Sequence, residues 1–143
     1  MKVLVIGGGG REHAIVDSLS RSRQVTKIYC APGNAGIAAK AELVPLKDSD
    51  VEGLVAFAEA NKPDLTVVGP ESALAAGVVD AFRSRGLRIF GPTKAAARIE
   101  ASKGFAKDLM AKYGIPTAGY MVFDDYDKAS EYVRSQGAPI VLK

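Results

Sequence analysis

The sequence has no tryptophan, one histidine and one cysteine among 143 residues. A single cysteine, Cys30, permits no internal disulfide and no cysteine-built metal cluster, so a reducing, cytoplasmic setting is expected. Without tryptophan, and with five Phe and five Tyr, there is no evident platform for stacking bases. Charge of one sign is scarce as well. The 19 basic and 16 acidic residues leave a net charge of +3, spread along the chain rather than clustered as a nucleic-acid groove requires. No nucleic-acid partner is expected. No apolar run approaches the ~20 residues of a membrane span, so no membrane partner is expected either. The first apolar run, ending at Ile6, meets four glycines and then charges, which is too short for a signal peptide. His13 has no companions at metal-ligand spacing, so no metal site is expected. Repeats and low-complexity stretches are absent. The remaining composition, 48% hydrophobic and 24% charged, is that of an ordinary globular chain.

Glycine is what the sequence has in quantity, with 15 residues, most of them where one apolar run stops and the next begins. Short β-branched or apolar runs at 2–6, 27–30, 65–68 and 87–90 predict strands, with a weaker one at 42–46. Helical patterns lie between them, at about 11–21, after the capping candidates Asp48 to Asp50, and at 74–84. The strand runs are continuous rather than alternating, as expected when both faces of a sheet are covered. Strand and helix alternating with short connections predict an α/β fold with a doubly wound parallel sheet, Rossmann-like. After about residue 92 the pattern changes. Nearly adjacent helices at 95–101 and 103–113 precede expected strands at 120–123 and 139–142, which flank a helix capped by Asp124 or Asp125 and ending near Gly137. Two domains are expected, 1–100 and 101–143, the second an incomplete α+β unit.

Two motifs carry chemistry. Gly7-Gly8-Gly9-Gly10-Arg11-Glu12-His13 joins the first strand to the first helix. Glycines allow close backbone approach, and a helix start presents free N–H groups with partial positive charge. Together they make an anion site, most often for phosphate, to which Arg11 can add a forked contact. The alternative is a turn whose glycines only let helix and strand pack. The dinucleotide fingerprint fits poorly: Glu12 takes the place of its third glycine, and no acidic residue follows the second strand. The other motif, Gly69-Pro70-Glu71, ends a central strand. In an open parallel sheet that edge carries the ligand crevice, so Glu71 shares it with the glycine loop. Its carboxylate can accept hydrogen bonds from sugar hydroxyls, or simply face the helix dipole. Pro32-Gly33-Asn34, Gly91-Pro92-Thr93 and Lys94 stand at other strand ends and read as turns and caps. By spacing alone, Lys103 and Lys143 read as solvated lysines.

Taken together the chain resembles the N-terminal part of the phosphoribosylamine–glycine ligase (glycinamide ribonucleotide synthetase) family of the ATP-grasp superfamily. The resemblance spans all 143 residues. It rests on Gly9-Gly10-Arg11-Glu12-His13-Ala14, Ala31-Pro32-Gly33-Asn34-Ala35-Gly36, Val68-Gly69-Pro70-Glu71, Ile89-Phe90-Gly91-Pro92-Thr93, Ser102-Lys103, Gly114-Ile115-Pro116-Thr117-Ala118 and Pro139-Ile140-Val141-Leu142-Lys143, in that order. It implies an ATP-dependent ligase that joins glycine to 5-phosphoribosylamine through a glycyl phosphate, with ATP and Mg²⁺ required. It implies a pre-ATP-grasp domain in which Gly9, Gly10, Arg11, Glu12 and Glu71 bind the phosphoribosyl substrate. Lys103 and Lys143 match the superfamily lysines that contact ATP phosphates.

Gly8 stands where the family often has asparagine, and Ala73 where proline is common. The family's phosphate-covering loop, its acidic Mg²⁺ ligands and its catalytic residues are expected beyond Lys143. An N-terminal portion of a longer enzyme, inactive alone, is therefore expected. The alternatives are an NAD(P)-binding Rossmann module of an oxidoreductase, a non-catalytic sugar-phosphate-binding module, and another ATP-grasp enzyme of purine synthesis.

Overall fold

The computed structural model describes residues 1–142. They form two compact units, Met1–Lys103 and the residues from Gly104 onward.

The first unit is built on a five-stranded, all-parallel sheet. Its strands are β1 (Lys2–Gly7), β2 (Lys27–Pro32), β3 (Glu42–Leu43), β4 (Leu65–Val68) and β5 (Ile89–Phe90), in the spatial order β3-β2-β1-β4-β5. β1 is central because it is apolar on both sides. Leu4 and Ile6 point into one core cluster, and Val3 and Val5 into the other. Helix α1 (Gly10–Ser20) covers the Val3/Val5 face through Val16. Helices α2 (Val51–Asn61), α3 (Glu71–Ala76) and α4 (Val78–Ser84) cover the opposite face through Leu54, Leu74 and Phe82. Leu54 and Phe82 are fully buried, each side chain contributing roughly 1.5–3 kcal/mol of hydrophobic stabilisation. This is the doubly wound parallel sheet that the alternation predicts.

Local signals hold at most boundaries. The Asp50 carboxylate accepts the Gly53 N–H at 3.0 Å and caps α2, which ends at Lys62 in the left-handed region. Thr93 caps α5 (Lys94–Ala101). Three expectations are corrected. The helix expected over 74–84 is two helices and starts earlier, at Glu71. Gly77, at φ 96°, breaks the ladder between them, a conformation that costs a glycine little. The strand expected over 42–46 stops at Leu43. Val44 still donates to the Cys30 carbonyl at 2.9 Å, but Pro45 has no N–H to continue the ladder. The strand expected from residue 87 begins at Ile89, because the Leu87 N–H is still engaged by the Phe82 carbonyl of the preceding turn.

Beyond Gly104 the chain holds most of α6 (Lys103–Lys112) and all of α7 (Tyr126–Gln136). Gly114, at φ 64°, closes α6, with Gly114 N–H donating to Ala111 and Ile115 N–H to Met110. That is the Schellman pattern of a glycine C-terminus. Asp125 caps α7 through the Lys128 N–H at 2.9 Å. The strands expected at 120–123 and 139–142 do not form. Among the described residues neither run has a partner strand, and an extended segment without a ladder is no strand. Met121, Val122 and Val141 are accordingly exposed. Among the described residues, no helix is long and apolar enough to cross a membrane.

Candidate functional site

Strand order reverses around β1, whose neighbours are β2 on one side and β4 on the other. The carboxyl ends of β1 and β4 therefore flank the sheet's switch point, where an open α/β sheet takes its ligand. Gly69 N–H donates to the Ile6 carbonyl at 3.0 Å and holds these ends together.

The loop from β1 to α1 is tethered from two sides. At Gly7 the backbone adopts φ 123°. Gly9 precedes the helix, and Glu12 folds back so that its Oε2 accepts the Gly9 N–H at 2.6 Å, the acidic half of a capping box. The Glu12 side chain is 3% exposed. It lies where any side chain on Gly7 or Gly69 would go: a Cβ there would meet Glu12 atoms at 2.6 and 1.9 Å respectively. From the β2 side, Asn34 Nδ2 donates to the Gly8 carbonyl at 2.8 Å, and its Oδ1 accepts the Ile37 N–H at 3.0 Å. The Gly33 N–H and the Cys30 thiol both donate to the Gly7 carbonyl, at 3.1 and 3.3 Å. Gly10 differs: a Cβ there meets nothing within 4 Å. Helix geometry leaves the N–H groups of Gly10, Arg11 and Glu12 without intrahelical acceptors, the first such bond being His13 N–H to the Gly9 carbonyl.

Arg11 and Glu71 meet across the switch point. Arg11 Nη2 donates to Glu71 Oε2 at 3.0 Å, and both side chains are more than half exposed, at 66% and 52%. Glu71 begins α3. Its carboxyl is held below the usual range, first by its own backbone N–H and then by Arg11. Arg11 is pushed up, chiefly by its hydrogen bond to Glu71. Both groups are charged at neutral pH, and each is reachable by a ligand that offers it a better partner.

The structure thus brings Gly9, Gly10, Arg11 and Glu71 to one edge. Glu12 belongs to the same edge but not to its surface, since its carboxylate is turned inward beneath the loop. Lys103 is exposed at the start of α6, and Lys143 lies outside the described residues. Thr93 and Lys94 serve as cap and helix start, the Lys94 N–H donating to Asp80 at 2.7 Å. Asn34 reads in sequence as a turn residue. Its tether to Gly8 has no signal there beyond an amide that can both donate and accept.

Residues 1–100 match the family model described as phosphoribosylglycinamide synthetase, N domain, and residues 101–143 the one described as its ATP-grasp (A) domain. The chain belongs to the phosphoribosylglycinamide synthetase family. It is similar to the phosphoribosylamine–glycine ligase of Caldanaerobacter subterraneus, at 56% identity over 143 residues, covering 100% of this chain and 34% of the relative. The ligase of Pasteurella multocida is 54% identical over 145 residues, with the same coverage. The chain therefore spans about a third of the length of these curated relatives. The crystal structure of the phosphoribosylamine–glycine ligase from Thermotoga maritima aligns with a TM-score of 0.66 and 29% identity, over 94% of this chain and 30% of that one. An N5-carboxyaminoimidazole ribonucleotide synthetase from the same organism shares the fold, with a TM-score of 0.69 at 20% identity over 96% of this chain and 37% of that one.

Membership of an ATP-grasp family implies use of ATP with Mg²⁺. Among the described residues no group of three or more His, Cys, Asp or Glu is placed to hold a metal ion. The described residues do not fit Mg²⁺.

Proposed function

We propose that this chain is the N-terminal, substrate-holding part of an ATP-dependent ligase of purine biosynthesis. The whole enzyme joins glycine to 5-phosphoribosylamine through a glycyl phosphate and releases glycinamide ribonucleotide, ADP and phosphate. Residues 1–100 form the domain that holds the phosphoribosyl group. The observation that carries this reading is the Arg11–Glu71 pair at 3.0 Å, lying beside the open N–H groups of the glycine loop. A phosphate takes the N–H groups of Gly10 and Arg11 and the Arg11 guanidinium, since all three are donors. Glu71, released from Arg11, accepts from ribose hydroxyls. Gly9 gives the loop its close approach, and Glu12 serves from beneath it. Lys103 and Lys143 are assigned to the ATP phosphates by family resemblance. The names of the relatives, phosphoribosylamine–glycine ligases, support the choice of substrate.

Calorimetric titration of the chain with glycinamide ribonucleotide, beside ribose 5-phosphate and NADH, tests the proposal. Saturable ribonucleotide binding with Kd near or below ~1 mM (about −4 kcal/mol), weakened in Glu71→Ala, is expected. Binding of NADH without the ribonucleotide would overturn the site assignment in favour of a dinucleotide module. Absence of all binding would refute the idea that this part of the chain holds the substrate unaided.

A further inference from the structure

We propose, resting on the phosphate-site reading above, that Glu12 and Asn34 are positioning residues which set the glycine loop from opposite sides. They turn one N–H and one carbonyl inward, and so leave the Gly10 and Arg11 N–H groups as the donors an anion meets.

The hydrogen bonds divide the loop. The Gly9 N–H is taken by Glu12 Oε2 at 2.6 Å. The Gly8 carbonyl, an acceptor that would repel an anion, is taken by Asn34 Nδ2 at 2.8 Å. The Gly8 Cα is pressed against the turn that follows β2, where an added Cβ would lie 2.6 Å from the Gly33 carbonyl oxygen. Only at Gly10 is the space beside the backbone open.

Glu12 is costly where it sits, which argues that its place is maintained for what it does to the loop. It is 3% exposed, and its Oε1 has no hydrogen-bond partner; a buried acceptor left unpaired is destabilising. Two glycines, Gly7 and Gly69, are needed to make room for it. Its negative charge also lies beside an anion site, where it opposes the ligand by simple Coulomb repulsion. Its benefit to the site is therefore geometric, and charge and geometry can be separated. Glutamine at this position keeps an oxygen for Gly9 N–H and drops the charge. A residue that touched the ligand through its carboxylate would lose binding on that change; a positioning residue keeps or gains it.

The test uses the ¹⁵N-labelled 143-residue chain, following the Gly9, Gly10 and Arg11 amides during titration with ribose 5-phosphate and, separately, inorganic phosphate. In the wild type the Gly10 and Arg11 resonances are expected to move on titration. The Gly9 amide, bonded to a carboxylate, is expected far downfield and nearly still. Glu12→Gln, whose neutral amide oxygen still accepts the Gly9 N–H, is expected to keep part of that downfield shift and to bind both probes at least as tightly as wild type. Glu12→Ala is expected to lose the downfield shift and about tenfold in affinity, the size of one lost charge-assisted hydrogen bond. Asn34→Ala, which removes a neutral hydrogen bond from the other side, is expected to weaken binding by up to about tenfold, and it carries the test together with Glu12→Gln should Glu12→Ala not fold. Wild-type affinity in a folded Glu12→Ala, or in Asn34→Ala, would overturn the inference for that residue. A tenfold loss in Glu12→Gln with the Gly9 amide still hydrogen-bonded, part of its downfield shift kept, would make Glu12 a contact residue instead. If neither probe moves Gly10 or Arg11 in the wild type, the phosphate-site reading fails first and this inference falls with it.

Discussion

Alanine at position 69 would put a methyl carbon 1.9 Å from Glu12 Oε1, 2.5 Å from its Cδ and 2.6 Å from its Cγ. The backbone of Gly69 lies outside the left-handed region, and its N–H bond to Ile6 does not involve the side chain. The whole cost of Gly69→Ala therefore falls on Glu12, which must leave its seat. Overpacking of this kind costs about 1–3 kcal/mol. The displaced carboxylate also gives up the Gly9 N–H, a charged hydrogen bond worth about 1.5–3 kcal/mol. The two costs add to about 2.5–6 kcal/mol, but the carboxylate regains water on leaving, so the net is expected at the lower end, about 2–3 kcal/mol. In a Glu12→Ala background the obstacle is gone. There Gly69→Ala is expected to cost almost nothing, or to stabilise by ~0.4–1 kcal/mol through the less flexible unfolded chain. Urea unfolding of wild type, both single variants and the double variant yields the coupling energy, expected at about 2 kcal/mol. A common denaturant slope in all four proteins validates the comparison. A cost of Gly69→Ala that agrees within ~0.5 kcal/mol in the two backgrounds would refute the reasoning, because independent sites add to that tolerance.

Thr66 is fully buried and its Oγ1 has no hydrogen-bond partner, so Thr66→Val is expected to stabilise by about 1 kcal/mol, raising Tm by ~3–5 °C; a fall in Tm would contradict this. The Cys30 thiol is pushed up to about 11, by burial first and by the charge of Glu12 second. It is expected to resist a disulfide reagent at pH ~8 until the chain unfolds, and rapid stoichiometric labelling of the native protein would refute that. Glu71→Gln frees Arg11 from its partner. Inorganic phosphate is expected to bind up to about fivefold tighter, the range of an exposed ion pair, while glycinamide ribonucleotide binds more weakly; parallel changes would count against separate roles for the two residues. Acid acts on the same pair. The Glu71 carboxyl lies below its ordinary 4.5 in the folded protein, so its contribution to stability is present above that value and lost as pH falls through the depressed one. The Arg11 side-chain resonances are expected to report the release below pH ~4.5, whereas a transition near neutrality would exclude Glu71 as its cause.

The strands at Lys2–Gly7, Lys27–Pro32 and Leu65–Val68, and the caps Asp50, Thr93 and Asp125, are legible in the sequence. The pattern of each run and the bond of each cap lie within a few residues, where local propensity and side-chain chemistry act alone. The glycine loop is legible for the same reason, and so is its place before a helix. Gly77 and Pro45 are visible as letters, but their effect depends on what the neighbouring backbone asks of them. The runs at 120–123 and 139–142 carry strand composition without strand structure, because a ladder needs a second strand and composition cannot supply one. The tertiary structure alone decides which way Glu12 turns, since the vacancy that receives it is made by Gly69, far along the chain. It alone brings Asn34 to Gly8, 26 residues away, and Glu71 to Arg11, 60 residues away. Contacts at those separations follow from strand order in the sheet. That order is set by which apolar faces are buried together, a property of the packed whole that no short window of sequence contains.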